Sequence, residues 1–391
     1  MAPVVLLLLV LLSQLSPAPA RVEHRSSNQL SSRGLDATEA RGWVRACYLF
    51  RDVPLDQIDP WLCTHLLAFF GHVTADGLPQ VNDADLDKLA QLVRMRQQQN
   101  PLLRVCLTFA ANNDAFATAA ASNTSRASFA AAAAQLLQQT DLDGLDFDWE
   151  FPAFFRPGHE RRDFSLLLEA TGAALRALPR PRLLTAAVGG SSTIVDVSYE
   201  VPRIAAALDF VSVMTYDFHF YKTLEPATGH NAPLFASSRD RGFLATLNTN
   251  FSAHLWLDRG VPRSKLLLGL PTYGHGWHLR DSAVHGLLAP ASGPWKSGYV
   301  TLADVCRLLQ GNGTAEWDPF ALAPYAYSGA EWVSFEDARS MAAKASLVRA
   351  LDLAGAMTYN LDNDDWGNVC GRGAFPLHRL VRDMLPSLEQ N

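Results

Sequence analysis

Short apolar runs recur along the chain, and longer stretches with helical spacing separate them. Trp43–Phe50, His65–Phe70, Arg104–Phe109, Gly144–Trp149, Leu183–Val188, Phe210–Thr215, Lys265–Leu270 and Gly355–Tyr359 read as strands by length and apolar content. Ala84–Gln98, Arg126–Gln139, Arg162–Leu178 and Pro202–Leu208 read as helices between them. Strand and helix alternating in this way predict parallel βα units, either closed as an eight-stranded barrel or spread as a long doubly wound sheet. The interval from 271 to 354 is too long for one βα connection. It holds Trp277, Trp295, Tyr299, Trp317, Tyr325, Tyr327 and Trp332 with Gly and Pro throughout, which predicts a small inserted subdomain at about residues 275–345. On a barrel such an insertion rises on the C-terminal face, where active sites are built. Most of its aromatics are expected to pack its own core.

The ends of the chain read differently. Val4–Leu12 is an apolar run too short to span a bilayer, followed by Pro17 and the small-residue sequence Ala18-Pro19-Ala20. This is the pattern of a secretory signal peptide over residues 1–20. Residues 21–42 are polar and without periodicity, the composition of a flexible leader, and the folded unit is expected over 43–385. No later stretch is long and apolar enough to anchor the mature chain, so a secreted, extracellular protein is expected.

Composition narrows the partners. A formal net charge of −6 over 391 residues argues against nucleic acid or an anionic membrane, but not against a neutral polymer such as a polysaccharide. The eleven histidines form no His-x-x-x-His pair, and neither a metal nor a cofactor is expected. Five cysteines in an oxidising compartment suggest two disulfides and one buried thiol. Cys47 and Cys63 lie close together, Cys306 and Cys370 far apart, and Cys106 sits in a strand-like run; spacing alone does not fix the pairing. Three sequons, at Asn123, Asn250 and Asn312, agree with secretion.

The chemistry concentrates in Asp141-Leu-Asp-Gly-Leu-Asp-Phe-Asp-Trp-Glu150. Strand side chains alternate between faces, so Asp146, Asp148 and Glu150 share one face while Leu145, Phe147 and Trp149 share the other. With the apolar face on the helices, three carboxyls are directed into the interior. Mutual repulsion and burial penalise each ionised form. At least one therefore stays protonated near neutral pH, as a general acid requires. A solvated acidic edge does not explain the interleaved Leu, Phe and Trp. Oxygen ligands at alternate positions are also compatible with Mg2+ or Ca2+, so a metal site is the competing reading.

Asp143-Gly-Leu-Asp146-Phe-Asp148-Trp-Glu150 resembles the Asp-x-x-Asp-x-Asp-x-Glu signature of family 18 glycoside hydrolases, the chitinases and chitinase-like lectins. Ala46-Cys-Tyr-Leu-Phe50, Leu62-Cys-Thr-His-Leu66, Met214-Thr-Tyr-Asp-Phe-His219, Gly229-His-Asn-Ala-Pro-Leu234, Gly269-Leu-Pro-Thr-Tyr-Gly274 and Gly355-Ala-Met-Thr-Tyr359 resemble further segments of that family in the same order. The resemblance implies a (β/α)8 TIM barrel carrying a small inserted α+β subdomain after the seventh strand. It also implies hydrolysis of β-1,4-linked N-acetylglucosamine oligomers or chitin, endo-acting, by a monomer. In the family the substrate's N-acetyl oxygen attacks the anomeric carbon with retention, the substrate-assisted exception to the two-carboxylate scheme. By matching position, Glu150 is the general acid, Asp148 orients the acetamido group, Asp146 trades a proton with Asp148, and Asp143 supports the strand. Tyr216 donates to the acetamido oxygen and Asp217 binds the sugar on the leaving side. Met214, Tyr48, Tyr273 and Tyr359 are expected against the substrate. The family's pairings imply disulfides Cys47–Cys63 and Cys306–Cys370, leaving Cys106 free.

The sequence departs from the family pattern in four places. Thr108-Phe-Ala-Ala-Asn112 replaces Ser-x-Gly-Gly-aromatic, so methyl groups stand at Ala110 and Ala111, and Asn112 or Asn113 lies near the aromatic's place. Tyr359 replaces the Trp that floors the cleft, His275 stands where Arg is common, and Asp52 where Trp is common. Fewer stacking platforms imply short or soluble oligomers rather than crystalline chitin. They also keep open a second reading, a catalytically weak lectin that binds chitooligosaccharides. A metal-dependent barrel hydrolase lacks the extra strand-end ligands it needs.

Overall fold

Eight parallel strands close on themselves in the computed structural model, which describes residues 42–387. The expected signal peptide, and the leader up to residue 41, lie outside the described residues. The strands are β1 (Val44–Leu49), β2 (His65–Val73), β3 (Arg104–Ala110), β4 (Gly144–Asp148), β5 (Leu183–Gly189), β6 (Phe210–Met214), β7 (Leu266–Pro271) and β8 (Gly355–Tyr359). Each pairs in parallel with the next. β8 returns to β1 with Gly355 opposite Val44, which closes the cylinder. The fold is the TIM barrel that the strand–helix alternation and the family resemblance imply.

The two-residue period of the strands explains why two cores form. On β1, Ala46 and Tyr48 point into the barrel with Leu67, Cys106, Leu267 and Met357. Cys47 and Leu49 point outward, where they join Leu145, Phe147, Trp149, Leu167 and Val188 beneath the helices. The helices are fixed at their ends by side chains. Asn82 caps Asp83–Gln99 by accepting from Asp85 N, and Ser122 with Ser125 forms a capping box on Asn123–Thr140. Glu160–Arg176 and Val201–Ala207 occupy the other two expected places. Asn113–Ala120, Ser192–Ser198, Thr249–Asp258, Ala338–Ala350 and Pro376–Met384 are further helices that the periodicity did not mark.

Between β7 and β8 lies a five-stranded antiparallel sheet. Its strands, in spatial order, are Ala291–Thr301, Tyr273–Leu279, Glu331–Ser334, Ala323–Ser328 and Thr314–Asp318, and helix Leu302–Gln310 lies between the first and last of these in sequence. Trp277 and Trp332 meet edge to face at 5.1 Å, and Tyr325 stacks on Trp332 at 5.1 Å, so these rings do pack the insertion's own core. The sheet begins at Tyr273 rather than 275, directly after β7. Residues 338–345 belong to helix Ala338–Ala350, which packs on β7 and β8 as part of the barrel.

Disulfides Cys47–Cys63 and Cys306–Cys370 are present, and Cys106 is a buried free thiol. The first ties β1 to the start of β2; the second ties the insertion's helix to the chain after β8. No described helix is long and apolar enough to cross a membrane. Asn123 and Asn312 are exposed, and Asn250 is half-buried in helix Thr249–Asp258.

Candidate active site

β4 delivers the acids as its alternation requires. Leu145, Phe147 and Trp149 are buried among the outer helices, while Asp146 and Asp148 are buried inside the barrel. Glu150 lies two residues beyond the strand's last pair and opens on to the barrel mouth. Asp143 stands apart, at the opposite end. Its carboxylate accepts from Arg96 at 2.6 Å and from Val105 N at 2.9 Å, with Arg180 and Arg104 at 3.4 and 3.5 Å. It fixes where β4 starts beside β3.

The three interior acids have sharply different surroundings. Asp146 accepts three hydrogen bonds: from Tyr48 Oη at 2.7 Å, Thr185 Oγ1 at 2.6 Å and Thr108 Oγ1 at 3.2 Å. Burial raises its carboxyl to about 6, and the three donors oppose the rise. Asp148 has no such donors, and its Oδ1 is buried without a partner. Burial raises it well above the ordinary carboxylate range, assisted by the charges of Glu150 and Asp146. Glu150 is solvent-accessible at the mouth, yet its carboxyl group is crowded by protein. Burial and then the negative Asp217 raise it to about 7. The arrangement therefore holds Asp146 as the ionised member, Asp148 protonated, and Glu150 able to give a proton near neutrality.

Aromatic rings frame these acids. The half-buried Tyr359 lies 5.4 Å from Tyr48, 5.5 Å from Phe50, 5.8 Å from Tyr216 and 5.9 Å from Tyr273. Phe50 stacks on Phe69 at 4.3 Å. Asp362 holds Phe50 in place, since its carboxylate accepts from Phe50 N and Asp52 N at 2.7 Å and from Val53 N at 3.2 Å. Asp52 itself is exposed. Tyr216 is buried with only a weak contact from its hydroxyl to Met357 Sδ at 3.8 Å, so the hydroxyl retains its capacity to donate to a substrate. Met214 is half-buried at the end of β6.

Asp217 follows Tyr216 in a left-handed conformation, φ 58°, stabilised where its N–H donates to Asn231 Oδ1 at 2.9 Å. Its Oδ1 takes both Tyr273 Oη at 2.5 Å and His275 Nε2 at 2.6 Å, and His275 Nδ1 faces Gly298 O at 3.0 Å. Two expectations need correction here. Tyr48 and Tyr273 were expected against the substrate, but each is 1% exposed. Their hydroxyls are used to hold Asp146 and Asp217, so they position carboxylates instead of lining the cleft.

The changed end of β3 has a structural use. Ala110 is half-buried opposite Asp148 in register, Asn112 caps helix Asn113–Ala120, and Asn113 accepts from Trp149 Nε1 at 2.7 Å. Sequence reasoning missed Thr108, Thr185, Asp362, Phe50, Phe69 and Tyr299. The two threonines and Phe69 carried a signal, because each lies at or near the C-terminal half of a barrel strand on the inward period. Phe50 lies just past β1 on the inward period of Ala46 and Tyr48, whereas Asp362 and Tyr299 come from a loop and the insertion, where no period points to a face.

Residues 44–364 match the family Glycosyl hydrolases family 18. The chain is 36% identical to Chitotriosidase-1 of Mus musculus over 84% of its length and 73% of that protein's. It is 31% identical to Chitinase-3-like protein 2 of Homo sapiens, covering 85% and 88% of the two chains. Among solved structures, the Group IV chitinase of Ostrinia furnacalis superposes with a TM-score of 0.81 at 30% identity, over 88% of this chain and 99% of that one. Human YKL-39, described as a pseudo-chitinase with retained chitooligosaccharide binding, superposes with a TM-score of 0.81 at 29% identity, over 88% and 100%.

Proposed function

The chain belongs to family 18 of the glycosyl hydrolases, and on that premise we propose that it hydrolyses β-1,4-linked N-acetylglucosamine oligomers by substrate-assisted, retaining catalysis. The observation that carries this reading is the graded protonation of the interior acids. Asp146 is satisfied by three donors, Asp148 by none, and Glu150 is raised to about 7. A catalyst that protonates a leaving oxygen needs a protonated acid at working pH. One that stabilises a developing cation needs fixed negative charge in a water-poor site.

In the proposed first step, the substrate's acetamido oxygen bonds to its own anomeric carbon as the glycosidic C–O bond breaks. Glu150 gives its proton to the departing oxygen. The acetamido N–H donates to Asp148 as positive charge grows on that group, and the proton on Asp148 passes toward Asp146. Tyr216 Oη, free of any strong protein partner, donates to the acetamido oxygen and aligns it for attack. In the second step Glu150, now a carboxylate, takes a proton from water as the water oxygen bonds to the anomeric carbon, the bond from that carbon to the acetamido oxygen breaks to restore the acetamide, and the proton on Asp146 returns to Asp148. The enzyme returns to its starting protonation, and the configuration is retained after two inversions.

Fluorophore release from a chitobioside, set against the matching cellobioside, tests the assistance, because the second substrate has a hydroxyl where the acetamide should be. Turnover of the chitobioside alone, with the β-anomer as first product by NMR, supports the mechanism. Equal turnover of both, or an α-anomer, overturns it. The binding-only reading is favoured by the smaller floor at Tyr359 and the methyl groups at Ala110 and Ala111. It predicts binding with no release from either substrate. Secretion is part of the same proposal, supported by two disulfides that persist in oxidising compartments.

A further inference from the structure

The pole of the barrel opposite Glu150 carries the other sign of charge. Four guanidiniums gather at the N-terminal ends of β3, β4 and β5: Arg96 from helix Asp83–Gln99, Arg104 at the start of β3, and Arg180 and Arg182 on the approach to β5. They share two carboxylates. Arg96 takes the closest contacts, with Asp143 Oδ2 at 2.6 Å and Asp141 Oδ2 at 2.5 Å. The other three are held more loosely. Arg180 Nη2 lies 3.1 Å from Asp141 Oδ1 and 3.4 Å from Asp143 Oδ1, Arg104 Nη1 3.5 Å from Asp143 Oδ1, and Arg182 Nη2 3.6 Å from Asp141 Oδ1. Asp209, which accepts from Leu184 N, pairs with none of them among the described residues. Four cations against two anions leave two positive charges over, at one end of a chain whose net charge is −6.

Arg182 is the residue that this arrangement leaves incomplete. Its side chain is 7% exposed, yet Nε and Nη1 are both buried without a partner among the described residues. Unsatisfied N–H groups on a buried cation are costly, and acceptor oxygens remove the cost. Arg104 and Arg180 are each 48% exposed, and each turns N–H groups to solvent that neither carboxylate occupies. Arg104 and Arg180 meet at Asp143 Oδ1, and Arg180 and Arg182 meet at Asp141 Oδ1, so the three heads converge. Arg180 also stands between Pro179 and Pro181, which restricts its backbone before any ligand arrives. Burial, and then the charge of Arg104, lowers the neighbouring His65 to about 4 against the opposing pull of Asp143, as a surplus of positive charge requires.

We propose that Arg104, Arg180 and Arg182 form a binding site for a tetrahedral oxyanion, phosphate or a phosphate ester, at the N-terminal pole of the barrel. Guanidinium forks match the paired oxygens of such a group, and a dianion cancels the surplus of two charges. Arg104 and Arg180 take the anion from the solvent side, and Arg182 completes the site from beneath with a charge that is already desolvated. The site stands at the far end of the barrel from the interior acids and does not depend on whether the chain hydrolyses anything.

Calorimetry of the full chain at constant ionic strength tests this, with inorganic phosphate, glucose 6-phosphate and glucose as probes. Wild type should bind one phosphate per chain and no glucose. Arg104→Gln and Arg180→Gln should each weaken phosphate roughly 10-fold, the loss of one charge-assisted contact. Arg307→Gln, which removes an exposed arginine from the insertion, should leave binding unchanged. Glucose 6-phosphate bound as well as phosphate assigns the site to esters, and phosphate bound alone assigns it to the free ion. Phosphate should also raise the Tm of wild type beyond potassium chloride of equal ionic strength, and that excess should vanish when Arg104 and Arg180 are both Gln. No saturable phosphate binding by wild type overturns the assignment, as does binding that Arg104→Gln and Arg180→Gln leave intact or that Arg307→Gln weakens equally.

Discussion

Replacing Asp146 by Asn should make the protein more stable at neutral pH while it removes part of the chemistry. Asp146 is completely buried, and its carboxyl moves from an ordinary value of 3.8 to about 6 on folding. A group raised in the folded state contributes its full stability below the unfolded value and loses it as pH rises through the folded value. At about 1.4 kcal/mol per tenfold change in proton affinity, the wild type loses about 3 kcal/mol from this group between pH 4 and pH 6. Asn does not titrate, so the difference in stability between Asp146→Asn and wild type should move in favour of the variant by that amount over the same window. Above pH 6 the difference should not reverse. Tyr48, Thr108 and Thr185 each retain an oxygen or a hydroxyl proton with which to meet the amide, so the site need not rearrange. For a chain of this size, about 3 kcal/mol corresponds to roughly 4 °C in Tm. Thermal unfolding followed by circular dichroism at pH 4, 5, 6, 7 and 8 reads it, because the other titrating groups are shared by the two proteins; of these Asp148, which the Asp146 charge helps to raise, is raised less in the variant, which shifts the difference further in the variant's favour. A Tm difference independent of pH, or one that turns against the variant as pH rises, would refute the claim that Asp146 is ionised at a cost.

Other outcomes follow from the same geometry. Asp143→Ala should cost about 3 kcal/mol in guanidinium unfolding, since it leaves the buried Arg96 with Asp141 alone; the folded fraction should keep wild-type pH dependence. kcat/KM should be bell-shaped, falling above about pH 7 as Glu150 loses its proton and below about pH 6 as Asp146 gains one. A profile flat from pH 5 to 8 would contradict that assignment. Removing Cys306–Cys370, which closes a span of 64 residues, should cost about 4 kcal/mol, against about 3 kcal/mol for Cys47–Cys63 with its span of 16, measured by denaturant midpoints of Ser variants.

Much of this was legible along the chain because the barrel writes its geometry into a two-residue period. Leu145, Phe147 and Trp149 outside and Asp146 and Asp148 inside follow from alternation alone, and seven of the eight strand positions were read to within two residues at each end. β2 runs on to Val73, because the chain continues past Phe70 into a short pairing with Pro79–Gln80. The helices that were missed are short or lack an apolar period. Asn113–Ala120 is nearly all small residues, and Ser192–Ser198 begins with Ser and Thr and contains Ile and two Val, β-branched residues that favour strand over helix. The cleft was harder to read than the acids. The family resemblance places Tyr48 and Tyr273 against the substrate, yet both are buried and their hydroxyls donate to carboxylates. Tyr299 reaches the rim only through tertiary placement, by the pairing of two insertion strands, and Phe50, on the inward period of β1, is fixed there by the hold of Asp362 on its backbone.

The central claim is that Glu150 is the proton donor of a working hydrolase. Purified wild type and Glu150→Gln should be compared for fluorophore release from a chitobioside between pH 4 and 8, with chitotetraose binding measured in parallel. Loss of a proton donor at this position predicts turnover reduced by about 10²- to 10⁴-fold, with oligosaccharide binding retained. Turnover that survives in Glu150→Gln would contradict the assignment of the acid, and a wild type that binds chitotetraose but releases no fluorophore at any of these pH values would contradict hydrolysis itself.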